Sequence, residues 1–296
     1  MNHKPSTIEK PRFPFHGYLG LALIAFAELC LVRQGVNPVA AVVSVWTTPI
    51  CWWGYIFFID AVIFRLKGNS LIMSRRREFL GQLPLSVVFW LIFEVYNLHL
   101  VNWGYRGLPE NIFILCLGLG LSFATIMPGM FQTAELLETL GLFQRLRLPP
   151  AKTGNRMLYG WVVVGLLFLI VPLLLPREVA KYTFAFVWVG FVLLCDPIAY
   201  ASGGESLLGD LEKGRLGRIT ALFVAGYICG LLWEFWNYWA AAKWVYLAPF
   251  TQDIRIFEMP LAGFLGFGPF AWEYFCMYQL AKLVSRSGQD AKRGGV

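Results

Sequence analysis

The stretch Leu232-Trp233-Glu234-Phe235-Trp236-Asn237 places a carboxylate and an amide three residues apart inside a long apolar run. The same arrangement occurs earlier in the chain, as Ile92-Phe93-Glu94-Val95-Tyr96-Asn97. Side chains at positions i and i+3 share one face of a helix, so each stretch predicts a helix with a polar pair on one face. The recurrence indicates a chain built from two related halves.

The composition indicates an integral membrane protein. Hydrophobic residues make up 57% of the 296 residues and charged residues only 15%, whereas soluble domains contain about a quarter charged residues. Apolar runs approach the roughly 20 residues that a helix needs to cross a bilayer. We predict an all-α integral membrane fold with eight transmembrane helices, at about residues 15–32, 39–64, 79–101, 112–137, 158–175, 182–200, 219–242 and 257–284. Pro49 and Pro128 are expected to interrupt their spans.

Lysines and arginines are concentrated in alternate segments of the chain. Most of them lie at the two termini and in the loops that join spans two and three, four and five, and six and seven. Short loops rich in these residues stay on the cytoplasmic side of a membrane. We therefore expect a multi-pass protein of the cell membrane with both termini in the cytoplasm. The net charge of +7 then reflects orientation, and we expect no nucleic-acid partner.

The two halves carry matching residues in the same order. Because four spans return the chain to its starting side, the halves would have the same orientation, as in parallel-repeat transporters. The predicted architecture is one membrane domain made of two parallel four-helix repeats, residues 1–148 and 149–296. The matches join Trp52, Gly54, Asp60, Gly68 and Ser70 to Trp188, Gly190, Asp196, Gly204 and Ser206, Glu94 and Asn97 to Glu234 and Asn237, Trp103 and Tyr105 to Trp244 and Tyr246, and Gln132 to Glu273.

Glu94, Glu234 and Glu273 are the candidate catalytic residues. A carboxyl group in hydrocarbon costs several kcal/mol unless it is neutral, paired or hydrated, so each must face protein or water. Glu94 and Glu234 could hold a proton or a cation, or each could form a hydrogen-bond clamp between helices. Glu273 is predicted to lie in mid-span, in a helix broken by Pro269. Its counterpart is Gln132, and this asymmetry favours a functional role.

Aromatic residues surround Glu234 and suggest a pocket for a polyene, an isoprenoid or a cation. The alternative is the belt of aromatic residues that lies at a membrane interface. The candidate ligand-binding residues are Asn97, Asn237, Trp233, Trp236 and Tyr246.

Asp60 and Asp196 form a candidate acidic pair near the cytoplasmic side. They could hold a metal or act as a base, or they could cap the Gly-Ser-Leu turns that follow them. Asp196-Pro197 is expected to begin a helix break.

The six cysteines form no CxxC pair and are expected to be small buried hydrophobic residues. The three histidines make bis-histidine haem ligation improbable. We therefore expect no cofactor and no metal.

Three functions fit these patterns. The first is a membrane site for a hydrophobic small molecule or a lipid, with acid-catalysed isoprenoid or lipid chemistry at Glu94 or Glu234 as its enzymatic form. Trp233-Glu234-Phe235 is similar, over these few residues, to a Trp-Glu pair of integral membrane terpene cyclases. Their seven-span pattern differs from the duplication predicted here, and no residue role is carried over. The second function is a transporter with proton or ion sites at the repeat interface. The third is a structural subunit, whose aromatic surface would face another membrane protein or a second copy of the chain.

Overall fold

The computed structural model describes residues 11–293, with side chains described up to residue 285. Part of the prediction about the termini falls on residues 1–10 and 294–296, which lie outside this range. Within it, the helices are α1 (Phe15–Arg33), α2 (Pro38–Ser44), α3 (Thr47–Lys67), α4 (Leu71–Ser74), α5 (Arg76–Leu100), α6 (Ile112–Phe123), α7 (Ile126–Thr139), α8 (Asn155–Leu174), α9 (Arg177–Ala180), α10 (Phe184–Ala201), α11 (Leu207–Glu212), α12 (Gly217–Trp239) and α13 (Phe267–Arg293). The strands are β1 (Trp103–Arg106), β2 (Lys243–Tyr246), β3 (Arg255–Ile256) and β4 (Met259–Pro260), and a 3-10 helix spans Leu261–Gly266.

Seven helical segments among the described residues are long and apolar enough to cross a membrane. They are α1, α3, α5, α6 together with α7, α8, α10 and α12. The fold is therefore that of an all-α, multi-pass membrane protein.

The predicted eighth span corresponds to α13, which begins ten residues later than expected. Residues 255–266 form β3, β4 and the 3-10 helix instead. α13 packs against α7, α10 and α12, and most of its side chains between Phe267 and Gln279 are buried. Glu273 and Gln279, two polar residues of this part, are therefore surrounded by protein.

Three of the prolines that we expected to interrupt spans stand at helix beginnings. Pro49, Pro128 and Pro269 are each the third residue of a helix, in α3, α7 and α13. The first turn of a helix has no partners for its N–H groups, so a proline there removes no hydrogen bond. Glu273 lies in the second turn of α13, and its mid-span position stays a prediction. The break predicted at Pro197 is wrong, because α10 continues to Ala201.

Glycines allow close helix packing at two places. Gly20 of α1 lies against the backbone of Gly54 in α3, where an added Cβ would stand 2.4 Å from the Gly54 carbonyl oxygen. Gly165 of α8 lies against α10 in the same way, with the Gly190 carbonyl oxygen 2.9 Å from an added Cβ. A side chain at either position would push the two helices apart.

A short antiparallel ribbon joins the two halves of the chain at one end of the bundle. β1 follows α5 and β2 follows α12, and they pair with Trp103 opposite Tyr246 and Tyr105 opposite Trp244. We call this end of the molecule the ribbon end. At the opposite end, Asp210 pairs with Arg215 and Arg218, and Glu135 pairs with Lys67 and Arg75.

The core lies between the halves and is rich in aromatic rings. Trp52 of α3 meets Trp233 of α12 with ring centroids 4.9 Å apart. Phe93 of α5 stacks on Tyr274 of α13 at 6.2 Å. All six cysteines are free, but the prediction that all are buried is wrong: Cys116 is exposed and Cys30 half-buried, because α6 and α1 present these positions outward.

Candidate functional site

Two asparagines fix the ribbon to the helices that precede it. Asn97 accepts hydrogen bonds from the backbone N–H groups of Asn102 and Trp103 and donates one to the Trp103 carbonyl. Asn237 accepts from the Trp244 N–H at 2.9 Å and donates to the Trp244 carbonyl at 2.9 Å. Each amide thus satisfies backbone groups at a chain reversal. This arrangement explains why an amide lies one turn after each glutamate.

The Glu94 carboxylate is held by aromatic donors. It accepts hydrogen bonds from Trp90 Nε1 at 2.8 Å, from Trp103 Nε1 at 3.1 Å and from the Tyr105 hydroxyl. Two of these donors come from β1 and one from the helix itself. Glu94 therefore links the ribbon to α5.

Glu234 has a smaller set of partners. The Tyr246 hydroxyl donates to Glu234 Oε1 at 2.6 Å, and Trp244 Nε1 donates to the Tyr246 oxygen at 2.8 Å. Glu234 is 0% exposed, and its Oε2 has no hydrogen-bond partner among the described residues. The second strand of the ribbon is therefore tied to α12 through Tyr246.

The two ribbon tyrosines stay protonated over the physiological range. Desolvation raises the pKa of Tyr246 well above its ordinary value, and the neighbouring Glu234 carboxylate raises it further. Desolvation and Glu94 raise the pKa of Tyr105 in the same way. Both hydroxyls are therefore fixed as donors to the two carboxylates.

A cavity of about 190 Å³ lies at the ribbon end, between the ribbon, α3, α5 and α6. We call it the aromatic cavity. Most of its wall is apolar, and among the described residues that line it Lys243 is the one charged side chain. The wall includes seven tryptophans: Trp46, Trp52, Trp90, Trp103, Trp188, Trp233 and Trp244.

Two of the five predicted ligand-binding residues line the aromatic cavity, and three do not. Trp233 and Tyr246 line the aromatic cavity. Trp236 instead donates from Nε1 to Glu28 at 3.0 Å, which ties α12 to α1. Asn97 and Asn237 hold the ribbon and do not line the cavity.

The three candidate catalytic acids lie outside the cavity wall. Glu94 and Glu234 stand behind it and bind the side chains that form it. Glu273 lies in the core, 0% exposed, and neither carboxyl oxygen has a hydrogen-bond partner among the described residues. Its electrostatic neighbours include Tyr96, Cys195 and Cys276, so the structure does not bring it together with the other two acids.

Asp60 and Asp196 act in two separate caps. Asp196 accepts from the N–H groups of Leu207 and Leu208 at the start of α11. Asp60 accepts from the Ile72 N–H and the Ser70 hydroxyl at the start of α4, and His16 Nε2 lies 3.1 Å away. Among the described residues, no group of three or more His, Cys, Asp or Glu side chains is placed to hold a metal ion.

Several residues of the site were not singled out from the sequence. Trp90 lies four residues before Glu94 on the same helix, and this i,i+4 spacing could have identified it. Residues of α6 such as Gly118 and Ser122 line the cavity, but nothing in their apolar surroundings marks them.

No protein-family model, curated protein or solved structure matches the chain.

Proposed function

We propose that this protein binds a hydrophobic small molecule, or the apolar part of a lipid, in the aromatic cavity. The observation that carries the proposal is the wall itself, in which seven tryptophans and other apolar side chains line a cavity of about 190 Å³. Ligand pockets are typically apolar clefts with a few fixed polar groups, and this cavity has that composition. Aromatic rings also bury a large contact area with little loss of side-chain entropy on binding.

The size of the cavity limits what can enter it. An apolar cavity of about 150 Å³ accepts a molecule as large as benzene. A cavity of about 190 Å³ therefore accommodates one ring or a short branched chain. A longer lipid would insert only one end.

Glu94 and Glu234 support this function by holding the wall in place. Each accepts hydrogen bonds from the polar edges of ribbon side chains that form the cavity, so their apolar surfaces are kept toward it. In an enzymatic form of the function, Glu234 would be protonated and the bond to Tyr246 would be reversed. Tyr246 would then give its hydroxyl proton to the ligand and take the proton of Glu234 in its place.

A cavity-filling variant tests the proposal. Gly118 of α6 lines the cavity, and an added Cβ would meet Trp46 at 3.7 Å, an ordinary van der Waals distance. Gly118→Leu should therefore fill the cavity without displacing the backbone. Gly120 lies on the same helix, and no neighbouring atom of the described residues comes within 4 Å of a Cβ added there, so Gly120→Leu is the matched control.

Mass spectrometry of the hydrophobic molecules that co-purify with each variant gives the readout. We expect at least one species that is present with the wild type and Gly120→Leu but lost with Gly118→Leu. Identical species in all three samples would overturn the proposal and favour a structural role.

A transporter is the second candidate, and Glu273 is the observation that favours it. A buried carboxyl group without partners is costly, and such groups in membrane proteins often mark ion or proton pathways. Glu273→Gln should then abolish ion or proton flux into vesicles. If the protein only binds a ligand in the aromatic cavity, the substitution should leave that binding unchanged.

We also propose the full architecture of two parallel four-helix repeats, with α13 as the eighth span and both termini in the cytoplasm. Three pairs of local features support it: the glycine contacts of α1 with α3 and of α8 with α10, the clamps at Asn97 and Asn237, and the caps at Asp60 and Asp196. The register of the ribbon agrees with a two-fold axis, because matching residues are exchanged across it.

A further inference from the structure

The loop between α7 and α8 carries exposed basic residues without acidic partners. It covers residues 140–154, at the end of the bundle opposite the ribbon. Five exposed cations lie in this loop, in the first turn of α8 and in the turn between α11 and α12, and we call them the basic cluster: Arg145, Arg147, Lys152, Arg156 and Lys213. No member of the cluster forms an ion pair with another described residue.

Backbone hydrogen bonding holds two parts of the basic cluster side by side. The Leu148 N–H donates to the Gly214 carbonyl at 3.0 Å, and Arg147 lies opposite Arg215 in an antiparallel bridge. Gly214 has a φ of 64°, and a Cβ added there would stand 2.1 Å from the Leu148 carbonyl oxygen. Glycine permits both the conformation and the close approach. The loop is therefore fixed against the turn that carries Lys213.

Glu212 lies beside this loop, but its carboxylate is already engaged. It accepts hydrogen bonds from the Tyr200 hydroxyl at 2.6 Å and from the Thr153 N–H. These two bonds lower the pKa of Glu212, and the charge of Lys152 contributes to the same shift. One carboxylate cannot neutralise five cations, so the surface of the basic cluster keeps a positive excess.

Leucines alternate with the arginines of the loop. Four of them are between 43% and 55% exposed: Leu140, Leu142, Leu146 and Leu148. Apolar side chains gain nothing from facing water, whereas at the boundary of the lipid headgroups they enter the acyl region while neighbouring arginines reach the phosphates. The alternation is therefore typical of a segment that lies on a membrane surface.

The position of the loop agrees with this interpretation. It begins after Thr139 and ends before Asn155, where two membrane-spanning segments end and begin. Met157 and Tyr159, in the first two turns of α8, are already exposed on the outside of the bundle. Tyrosines are common where a span meets the headgroups. The lipid surface therefore lies next to the basic cluster, which favours a lipid over an acidic protein as its partner.

We propose that the basic cluster binds an anionic phospholipid. Arg145 and Arg147 bind its phosphate oxygens, since a guanidinium can donate two parallel hydrogen bonds to a phosphate. Leu146 and Leu148 contact its acyl chains. A zwitterionic lipid fits less well, because its own positive group would lie among the cations. The aromatic cavity lies at the other end of the bundle, so this inference is independent of the proposed function.

Native mass spectrometry of the delipidated protein measures the binding of two probe lipids. Phosphatidylglycerol and phosphatidylcholine with identical acyl chains differ in the net charge of the headgroup. We expect the wild type to bind phosphatidylglycerol more tightly. The double variant Arg145→Gln, Arg147→Gln should weaken its tightest binding of phosphatidylglycerol about 30-fold, as for two basic residues beside an anionic lipid. Binding of phosphatidylcholine should change little.

The double variant Arg76→Gln, Arg77→Gln is the matched control. It removes the same charge from the same end of the bundle, and both arginines are exposed at the start of α5, in a different segment. It should leave the tightest binding of phosphatidylglycerol unchanged. Leu148→Gln keeps all the charges and should weaken the binding of both lipids several-fold, because it removes a contact with the acyl chains.

Three results would overturn the proposal. Equal binding of the two lipids by the wild type would favour an acidic protein as the partner of the basic cluster. Equal losses in the two double variants would show a general attraction by charge and no site at this loop. Unchanged binding in Leu148→Gln would show that the loop does not contact acyl chains.

Discussion

Tyr246 donates a hydrogen bond of 2.6 Å to Glu234, and it is the tyrosine, not the carboxylate, that lines the aromatic cavity. The buried acid therefore acts on the cavity through another side chain. The same relationship holds for Glu94 and Tyr105 in the other half of the chain.

Replacement of Glu234 should separate its structural role from a chemical one. Glu234→Gln keeps an acceptor for Tyr246 and should change the unfolding temperature little. Glu234→Leu leaves the proton of the Tyr246 hydroxyl without an acceptor and should cost about 1–3 kcal/mol in the free energy of unfolding. Thermal unfolding of the detergent-solubilised variants checks this. Equal stability of the Leu and Gln variants would show that the Tyr246 bond contributes nothing.

The pH dependence of stability should report on the ribbon tyrosines. Desolvation raises the pKa of Tyr246 above its ordinary value of 10.0. Its contribution is therefore fully present below that pH and is lost as the pH rises above it, since only the unfolded chain then ionises readily. Wild type should lose stability faster between pH 10 and 11, as an approximate range, than Tyr246→Phe. Parallel curves for the two proteins would contradict a raised pKa.

Loss of Asn237 should loosen the ribbon. Asn237→Ala removes the partners of the Trp244 N–H and carbonyl, so amide hydrogen exchange at residues 243–246 should rise by about tenfold or more, which corresponds to roughly 1.4 kcal/mol. Asn111→Ala is a suitable control, because Asn111 caps the exposed start of α6 and does not hold the ribbon. Unchanged exchange in Asn237→Ala would mean that strand pairing alone holds the ribbon.

Replacement of Glu273 should raise the free energy of unfolding, whereas Glu234→Leu should lower it. Both of its oxygens are buried and have no hydrogen-bond partner within the described part of the chain, so Glu273→Met should raise stability by about 1–3 kcal/mol. Gln132→Met is the comparison, because Gln132 donates to Asp60 at 3.5 Å and its loss should not stabilise the protein. Chemical unfolding measures both variants. A destabilised Glu273→Met would contradict this, because it would show that the acid contributes to stability.

Reporter fusions test the proposed eighth span. If α13 crosses the membrane, reporters fused at the two ends of the chain lie on the same, cytoplasmic side. Reporters on opposite sides would exclude eight spans and, with them, two parallel four-helix repeats.

The long helices and the polar pairs on them could be predicted from the sequence, because both depend on the spacing of residues that are close in the chain. The i,i+3 spacing of Glu94 and Asn97 places both on one face, and each does bind the ribbon that follows. The apolar runs likewise predict the long helices. Prolines were harder to interpret, since the sequence does not distinguish a helix interrupted at Pro269 from one that begins beside it.

The rest depends on contacts between distant segments. Trp236 donates a hydrogen bond to Glu28, which lies 208 positions away in the sequence. β1 likewise pairs with β2, with Trp103 opposite Tyr246. No short pattern signals such pairs. The aromatic cavity is also formed by several segments together, so its wall could not be inferred from any one of them.

Photo-crosslinking tests the central claim most directly. A diazirine-bearing hydrophobic probe, added to the protein in its membrane, should label peptides that contain residues 108–123 and 242–247, and this labelling should fall several-fold in Gly118→Leu but not in Gly120→Leu. The lipid-facing helices α1 and α8 supply the background level. Labelling of the cavity peptides at that background level, unchanged by Gly118→Leu, would contradict a hydrophobic binding site in the aromatic cavity.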